Sequence, residues 1–270
     1  MMNKNFKFLA TIGIIGGTGI YDPTIFNIID EIKINTPYGE TSDIITICTY
    51  KEKRIAFIPR HGKNHRIPPH KINYQANIWA MKELGVKVIL APSAVGSLKV
   101  EYKPGDIVLP DQFIDFTKKR KYTFYDGPIV CHISQSEPFC PDLREIVIKN
   151  LKELNYKVHP NGTYICIEGP RFSTKAESNY YRTFLKADII GMTLIPECIL
   201  AREMEMCYVS ISTITDYDVW AEVSVSSKEI IETLSKNVDK IKKLLLTIIP
   251  NISEERNLCN CSKSLENALV

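Results

Sequence analysis

The chain has no excess of charge. Its 34 Lys and Arg against 31 Asp and Glu leave +3 over 270 residues. That is too little for a nucleic-acid partner or an acidic membrane surface, so any anion must be held locally. No stretch reaches the ~18 to 20 consecutive apolar residues of a membrane span. The opening MMNKNFKFLATIGIIGG is basic and then apolar, but it lacks a small-x-small cleavage site and runs straight into a glycine cluster. The expectation is a cytoplasmic protein. There is no repeat, no low-complexity stretch and no linker. Among eight cysteines there is no C-x-x-C pair, which argues against a structural zinc site. The eight read either as reduced buried thiols or as intracellular disulfides of the hyperthermophile kind. Cys259 and Cys261 lie in a polar tail, where burial does not account for both.

Apolar runs closed by turn residues alternate with helical patterns, the mark of an α/β fold. Strands are expected over 11–17, 54–59, 86–94, 164–169, 187–193 and 207–216, with a strand and bend over 105–115. Helices are expected over 75–84, 140–155, 195–205 and, long and Ser-capped, 226–249. The organisation is one domain over 1–250 and a polar tail over 251–270 that carries Cys-x-Cys. Several strands end in small, hydroxylated or charged residues: Gly17-Thr18, Arg60-His61, Ser93-Ala94, Met192-Thr193 and Asp216. In open α/β sheets ligands gather at the carboxyl ends of strands, so these ends can converge on one site.

Two motifs invite stronger readings. IIGGTGIYD (14–22) lacks the third glycine of a dinucleotide fingerprint, and Pro23 interrupts any following helix. It remains either a tight turn after a strand or a set of backbone N–H groups facing an anion, with the Thr18 hydroxyl as a further donor. IPRHGKNHRIPPHKINYQAN (58–77) gathers His61, His65 and His70 with Arg60 and Arg66 and holds no acid. Pro59, Gly62, Pro68 and Pro69 exclude a long helix bearing H-x-x-x-H, and no cysteine or acid is at hand to complete a metal site. No nucleophile elbow appears. What remains is a solvated basic loop or an anion cradle, and a guanidinium fork at a strand end suits phosphate.

The segments GIIGGTGIYD, PYGETS, PRHGKNHRIPPHKINYQANIWAMKELGV, KPGDIVLPDQFID, TFYDG, IEGPRFSTKAES, GMTLIPE and TDYDVW occur in this order. Together, over about 11–250, they resemble the 5′-methylthioadenosine phosphorylases, in the trimer-forming branch of the purine nucleoside phosphorylase superfamily. The resemblance implies a single-domain nucleoside-phosphorylase fold, with a central twisted mixed β-sheet flanked by helices. It implies attack of inorganic phosphate, a co-substrate, on C1′ of the nucleoside, with adenine leaving and 5-methylthioribose 1-phosphate formed. No metal and no organic cofactor are implied. Matched position by position, Thr18, Arg60, His61, Ser93, Ala94 and Thr193 fall on the phosphate site and Met192 beneath the ribose. Phe172 and Ser173 fall beside the base, and Asp216, Tyr217 and Asp218 on the purine-recognition segment. Val225, with the apolar face near Ile230, falls on the methylthio pocket. His132 would reach that pocket from a neighbouring subunit, so the expected assembly is a homotrimer or a dimer of trimers. Many relatives carry Thr where this chain has Ser93, and the loop 220–229 is shorter than in many.

The chemistry agrees with these positions. Glycosidic cleavage through an oxocarbenium-like state needs an anion beneath the sugar and neutralisation of the departing base. A carboxylic acid near N7 can supply that proton, and Asp216 stands at a strand end with a second acid two residues on. Two rival readings remain. One is a phosphorylase of 6-oxopurine nucleosides such as inosine and guanosine, whose sites favour Asn where this chain has Asp216. The other is a non-catalytic nucleotide-binding module, which needs no acid at the base. If disulfides form, Cys259 with Cys261 and a Cys140–Cys207 link are the expected places.

Overall fold

A computed structural model describes residues 9–221, 227–253, 255 and 259–270, the side chains of 227–231 excepted. Its strands are β1 (Ile12–Gly16), β2 (Asn27–Ile32), β3 (Ile45–Tyr50), β4 (Lys53–Pro59), β5 (Val88–Ser97), β6 (Ile107–Val108), β7 (Gln112–Phe116), β8 (Val158–His159), β9 (Thr163–Ile167), β10 (Ile189–Gly191) and β11 (Cys207–Asp216). The helices are α1 (Tyr74–Glu83), α2 (Pro141–Glu153), α3 (Lys175–Thr183), α4 (Glu197–Glu203) and α5 (Ser227–Ile248). All strands join one mixed sheet in the order β2-β3-β4-β1-β5-β10-β9-β7, with β11 on β5 and then β6 and β8 beyond it.

The central strands are apolar on both faces, and their side chains divide by the two-residue period. Ile14 and Phe57 join one core cluster, with Val147, Leu151 and Leu244 of α2 and α5. Their neighbours Ile15 and Ile58 join the other, with Ile78, Met81 and Leu200 of α1 and α4. α1 begins where the Asn73 side chain accepts the Ala76 N–H, a side-chain cap. α2 begins with Pro141 at its first position, where no N–H is needed.

Strand β5 positions the cavity. β11 runs beside it in parallel from Val88 to Gly96. On its other edge, parallel β1 pairs only with Val88–Leu90, and antiparallel β10 joins only at Gly96 and Ser97. Between them this edge has no strand partner among the described residues, and a crevice opens where the neighbouring strand changes direction, the usual place for a ligand in such sheets. Pro92 lies in this interval with its carbonyl turned outward to Arg60. The missing N–H points the same way, so Pro92 costs no ladder bond there.

The expected strands and helices form, with bounds shifted by a few residues; 105–115 divides into β6 and β7. Four elements were not foreseen, one of them the two-residue strand β8. β2, NIIDEI, is mostly exposed, and a six-residue edge strand of mixed polarity shows no clean alternation. β3, ITICTY, is a short apolar run without turn residues at its ends. α3 is too polar for a periodic stripe, but it carries a start signal: the Thr174 side chain accepts from Glu177 N–H while Glu177 accepts from Thr174 N–H, a capping box spelled T-x-x-E.

Of the two cysteine readings, the structure shows the reduced thiols. All eight are free thiols, so neither Cys140–Cys207 nor Cys259–Cys261 is a disulfide. Lack of a C-x-x-C pair also does not keep the cysteines apart. Cys140, Cys207, Cys259 and Cys261 meet with their sulfurs all within 4.8 Å of one another. Local spacing misses such a group because its members come from a helix start, a strand start and the tail. The tail is packed: Ile252, Cys261 and Ala268 are buried, and Val130 and Val270 exchange backbone hydrogen bonds of 3.0 Å. Among the described residues no helix is long and apolar enough to cross a membrane.

Candidate active site

The crevice beside β5 is a cavity of about 520 Å³, lined by the residues after β1, β4 and β10 and by the ends of β5 and β11. Ten positions singled out from the sequence meet there: Thr18, Arg60, His61, Phe172, Ser93, Ala94, Met192, Thr193, Asp216 and Asp218. The volume suits a molecule of nucleoside size.

At the buried end lies Arg60, 1% exposed. Its Nε and Nη2 donate to the two oxygens of Glu197 at 2.6 and 2.7 Å, and its Nη1 donates to the Pro92 carbonyl at 3.0 Å. The sequence offered the guanidinium fork to phosphate. In the structure the fork edge is taken by Glu197, because a guanidinium this deeply buried needs a compensating charge. Burial alone would disfavour the Arg60 charge, but the Glu197 carboxylate reverses that and holds the guanidinium above its ordinary value. Five N–H bonds minus these three leave two for a ligand. Glu197 in turn accepts from the Tyr208 hydroxyl at 2.8 Å. Gly17 presses on this group: a Cβ there would stand 2.4 Å from the Pro92 carbonyl oxygen and 2.9 Å from Arg60 Nη1.

His61 follows Arg60 into the cavity wall. Burial pushes its imidazole down to about 4, against the effect of its bond to the Ile67 carbonyl. Nδ1 lies 2.9 Å from that carbonyl. A carbonyl only accepts, so the neutral ring carries its proton on Nδ1 and leaves Nε2 as an acceptor. His65 stacks on His61 at 4.1 Å between ring centroids and is also held down by burial. With Arg60 matched by Glu197 and both histidines neutral, this end offers hydrogen-bonding groups more than net charge. Ser93 Oγ is buried there without a partner, the usual sign of a group that bonds a ligand.

At the other end two carboxyl groups face the cavity. Both Asp216 oxygens accept hydrogen bonds, one from the Thr215 hydroxyl at 2.7 Å and one from the Asp218 N–H at 2.8 Å. Asp218 sits at φ 51°, in the left-handed region, and takes a 2.5 Å bond from the Ser178 hydroxyl. Burial pushes its carboxyl above the usual range and the neighbouring Asp216 adds to this, while Ser178 opposes it. Apolar walls come from Ile167, Pro170 and Ile190, with Leu234 nearer Thr18 and Ser93, and Phe172 is 73% exposed.

Other expected positions do not meet the cavity in this chain. Ser173 is buried with Oγ unpartnered but is outside the lining. Tyr217 turns its hydroxyl to the Val100 carbonyl at 3.3 Å. His132 is exposed, and its N–H donates to Ala268 O at 2.7 Å. Val225 and the Ile230 side chain lie outside the described residues. Sequence reasoning missed Glu197, Ser178 and Thr215. Glu197 had a signal, as the one acid in the apolar run LIPECILA.

Fold and site together define an α/β enzyme whose cavity has one buried hydrogen-bonding end and one carboxyl end. The chain belongs to the phosphorylase superfamily, whose family model matches residues 11–250, and within it to the S-methyl-5′-thioadenosine phosphorylases. It is 57% identical over 272 residues, 100% of both chains, to the S-methyl-5′-thioadenosine phosphorylase of Saccharolobus solfataricus. Its fold matches the crystal structure of a methylthioadenosine phosphorylase from an antarctic soil metagenomic library with a TM-score of 0.91, at 42% identity over 98% of this chain and 93% of that one. It also matches a mutant adenosine/methylthioadenosine phosphorylase of Schistosoma mansoni in complex with methylthioadenosine, with a TM-score of 0.88 at 36% identity over 94% and 96% of the two chains.

Proposed function

We propose that this protein cleaves 5′-methylthioadenosine with inorganic phosphate, giving adenine and 5-methylthioribose 1-phosphate. The observation that carries the reading is one cavity with a buried guanidinium and an orphan hydroxyl at one end and a carboxyl pair at the other. The relatives named above support it. Phosphate takes the two remaining Arg60 N–H bonds and the hydroxyls of Ser93, Thr18 and Thr193. His61 receives a proton from, or shares one with, the bound anion through Nε2. Met192 lies under the ribose.

Adenine has an acceptor at N7 and a donor at its amino group, so a carboxyl pair that holds one proton matches both. Asp216 donates to N7 as the base leaves, and Asp218 accepts from the amino group. Burial shifts Asp218 above the usual carboxyl range, in the direction that favours a shared proton, and which oxygen holds it is a property of the pair. The reaction uses neither metal nor organic cofactor. The working assembly is a trimer or a dimer of trimers, in which His132 of one chain closes the 5′ side of its neighbour's cavity.

A substrate panel tests this reading: methylthioadenosine, adenosine, inosine and guanosine, each with and without phosphate. Adenine release from methylthioadenosine that requires phosphate is the expected result, with adenosine cleaved less efficiently. An apolar 5′ pocket rejects an added hydroxyl by only about 10². Preference for inosine or guanosine would select the 6-oxopurine reading instead, and no phosphate-dependent release would overturn catalysis altogether. Sedimentation of an active monomer would remove the assembly and the His132 role.

A further inference from the structure

Ser178 stands early in α3 and is fully buried. A serine inside a helix ordinarily turns its hydroxyl back to the carbonyl four residues earlier. Thr183 of the same helix does so, donating to Asn179 O at 2.5 Å. Ser178 instead donates across to Asp218 Oδ2, also at 2.5 Å, and among the described residues no other acceptor takes this proton. The segment that carries Asp218 is anchored by other bonds. The Asp218 N–H donates to Asp216 at 2.8 Å, and the Trp220 indole N–H donates to the Ser97 carbonyl at 2.8 Å. Arg182 of α3 lies over the Trp220 ring, 4.1 Å from its centroid, and its Nε donates to the Leu98 carbonyl at 3.0 Å. With the backbone held this way, the Ser178 bond acts on the carboxyl group itself.

We propose, on the adenine-releasing reading, that Ser178 is a positioning residue for base selectivity: its hydroxyl keeps Asp218 an acceptor, so the site prefers a purine with an amino group at C6 over one with a carbonyl there. A hydroxyl has one proton to give, and a carboxylate oxygen takes it more strongly than a carboxylic acid does. Asp218 lines the cavity, and its Oδ1 has no partner among the described residues, so Oδ1 is left to accept from a ligand.

Other groups around Asp218 pull the other way. Burial favours its neutral acid, and so do the carboxylates of Asp216, at the end of β11, and of Glu177, on α3. Arg171 pairs with Glu177 at 2.7 Å and offsets part of that charge. Ser178 gives the largest opposition to burial, and the Val219 N–H adds to it. Without the Ser178 hydroxyl, Asp218 holds a proton more tightly and becomes a donor. A donor suits the O6 acceptor of a 6-oxopurine and faces the adenine amino group with a second donor. The serine thus acts against the wrong base as much as for the right one.

The test uses the full-length protein, with kcat/KM measured for methylthioadenosine and for inosine at saturating phosphate. Ser178→Ala should raise the ratio of inosine to methylthioadenosine by about tenfold, the worth of one hydrogen bond to a charged group. It should also move the alkaline limb of kcat/KM for methylthioadenosine to higher pH, because Asp218 holds its proton more tightly. Ser178→Cys fills the same space with a weak donor and should follow Ser178→Ala on both counts. If the parent releases no adenine or prefers inosine, the adenine reading fails and the Ser178 role falls with it. If the parent releases adenine and both variants keep its selectivity and pH profile, that reading stands and the Ser178 role alone is overturned. A cysteine variant that matches the parent, beside an alanine variant that loses rate equally on both nucleosides, would make Ser178 a packing residue and overturn the proposal as well.

Discussion

At one end of the cavity Arg60 and Glu197 are 1% and 0% exposed and locked to each other through two hydrogen bonds. At the other end Asp216 and Asp218 are half-buried, and Phe172 beside them is 73% exposed. The closed end is finished before any ligand arrives: its charges cancel inside the protein, and its spare donors are fixed by backbone and counter-ion. The other end is left open, with a strained backbone at Asp218 and carboxyl groups that line the cavity. The small, invariant reactant can thus be met by a rigid site. On the proposed reading, the larger one, which must enter and leave, is met by groups that keep access to solvent.

Breaking the ion pair at the closed end should have the largest effect. Glu197→Ala leaves a buried guanidinium without a counter-charge, and a loss of about 3–5 kcal/mol is expected for such a group. Arg60→Ala should cost a similar amount and also raise the Michaelis constant for phosphate, since two free donors go with it. Urea unfolding and phosphate kinetics measure both variants. If each is within 1 kcal/mol of the parent and phosphate kinetics are unchanged, the closed end is not the preorganised anchor described here.

The open end should respond in rate more than in stability. Asp216→Asn keeps the shape and removes the transferable proton, so turnover on methylthioadenosine should fall by ~10²–10⁴. An amide can also donate towards a 6-oxopurine, so relative activity on inosine should rise. Asp218→Asn should cost less. Its carboxyl is held high by burial, so the proton it stores is lost as pH rises through that raised value, and the alkaline limb of kcat/KM should move when Asp218 is replaced. Full adenine release by Asp216→Asn, with no gain on inosine, would remove the acid from this residue.

These two ends differ in how far they could be read from the sequence. Strand ends such as Gly17-Thr18, Arg60-His61 and Ser93-Ala94 were legible, because a run of apolar residues that stops at a small or charged one marks both a strand and its exit. Most of the alternating strands and helices followed from the same periodicity. Glu197 was not legible as the partner of Arg60, 137 positions away, since only the packing of α4 against α1 and β11 brings them together. The same holds for Ser178 under Asp218, on a helix too polar to show a periodic face. The cysteines teach the converse lesson. Local spacing kept the four apart, yet helix start, strand start and tail bring Cys140, Cys207, Cys259 and Cys261 together. The histidine run 58–77 has the look of a metal site and folds instead into stacked neutral rings and a turn.

The neutral state of His61 gives a pH test of the closed end. Its folded value of about 4 lies below the ordinary 6.5. Between these two values the unfolded chain binds a proton that the folded one does not. Stability is therefore full above about pH 6.5 and falls as pH drops towards 4, by roughly 3 kcal/mol in total. His61→Asn should flatten this limb relative to the parent. Comparing the two proteins isolates the histidine from Asp218, whose raised value acts in the opposite sense. Parallel acid limbs in parent and variant would mean that His61 is not held neutral by burial.

The smallest effect should come from Ser93, and its sign is the informative part. Its hydroxyl is buried with no protein partner, and an unsatisfied group of this kind costs about 1–3 kcal/mol. Ser93→Ala removes that cost and should leave the free protein as stable as the parent or slightly more so. The same change deletes a donor to phosphate, and a hydrogen bond to a charged group is worth about 1.5 kcal/mol or more. The Michaelis constant for phosphate should then rise roughly tenfold, with turnover little changed. Ser93→Thr keeps the hydroxyl and should keep phosphate affinity, provided its methyl group finds room beside Arg60. Stability and affinity moving in opposite directions would show that this part of the closed end is held short of a partner until phosphate supplies one. A Ser93→Ala variant that loses stability and leaves phosphate binding untouched would make Ser93 a packing residue and shift the anion away from β5.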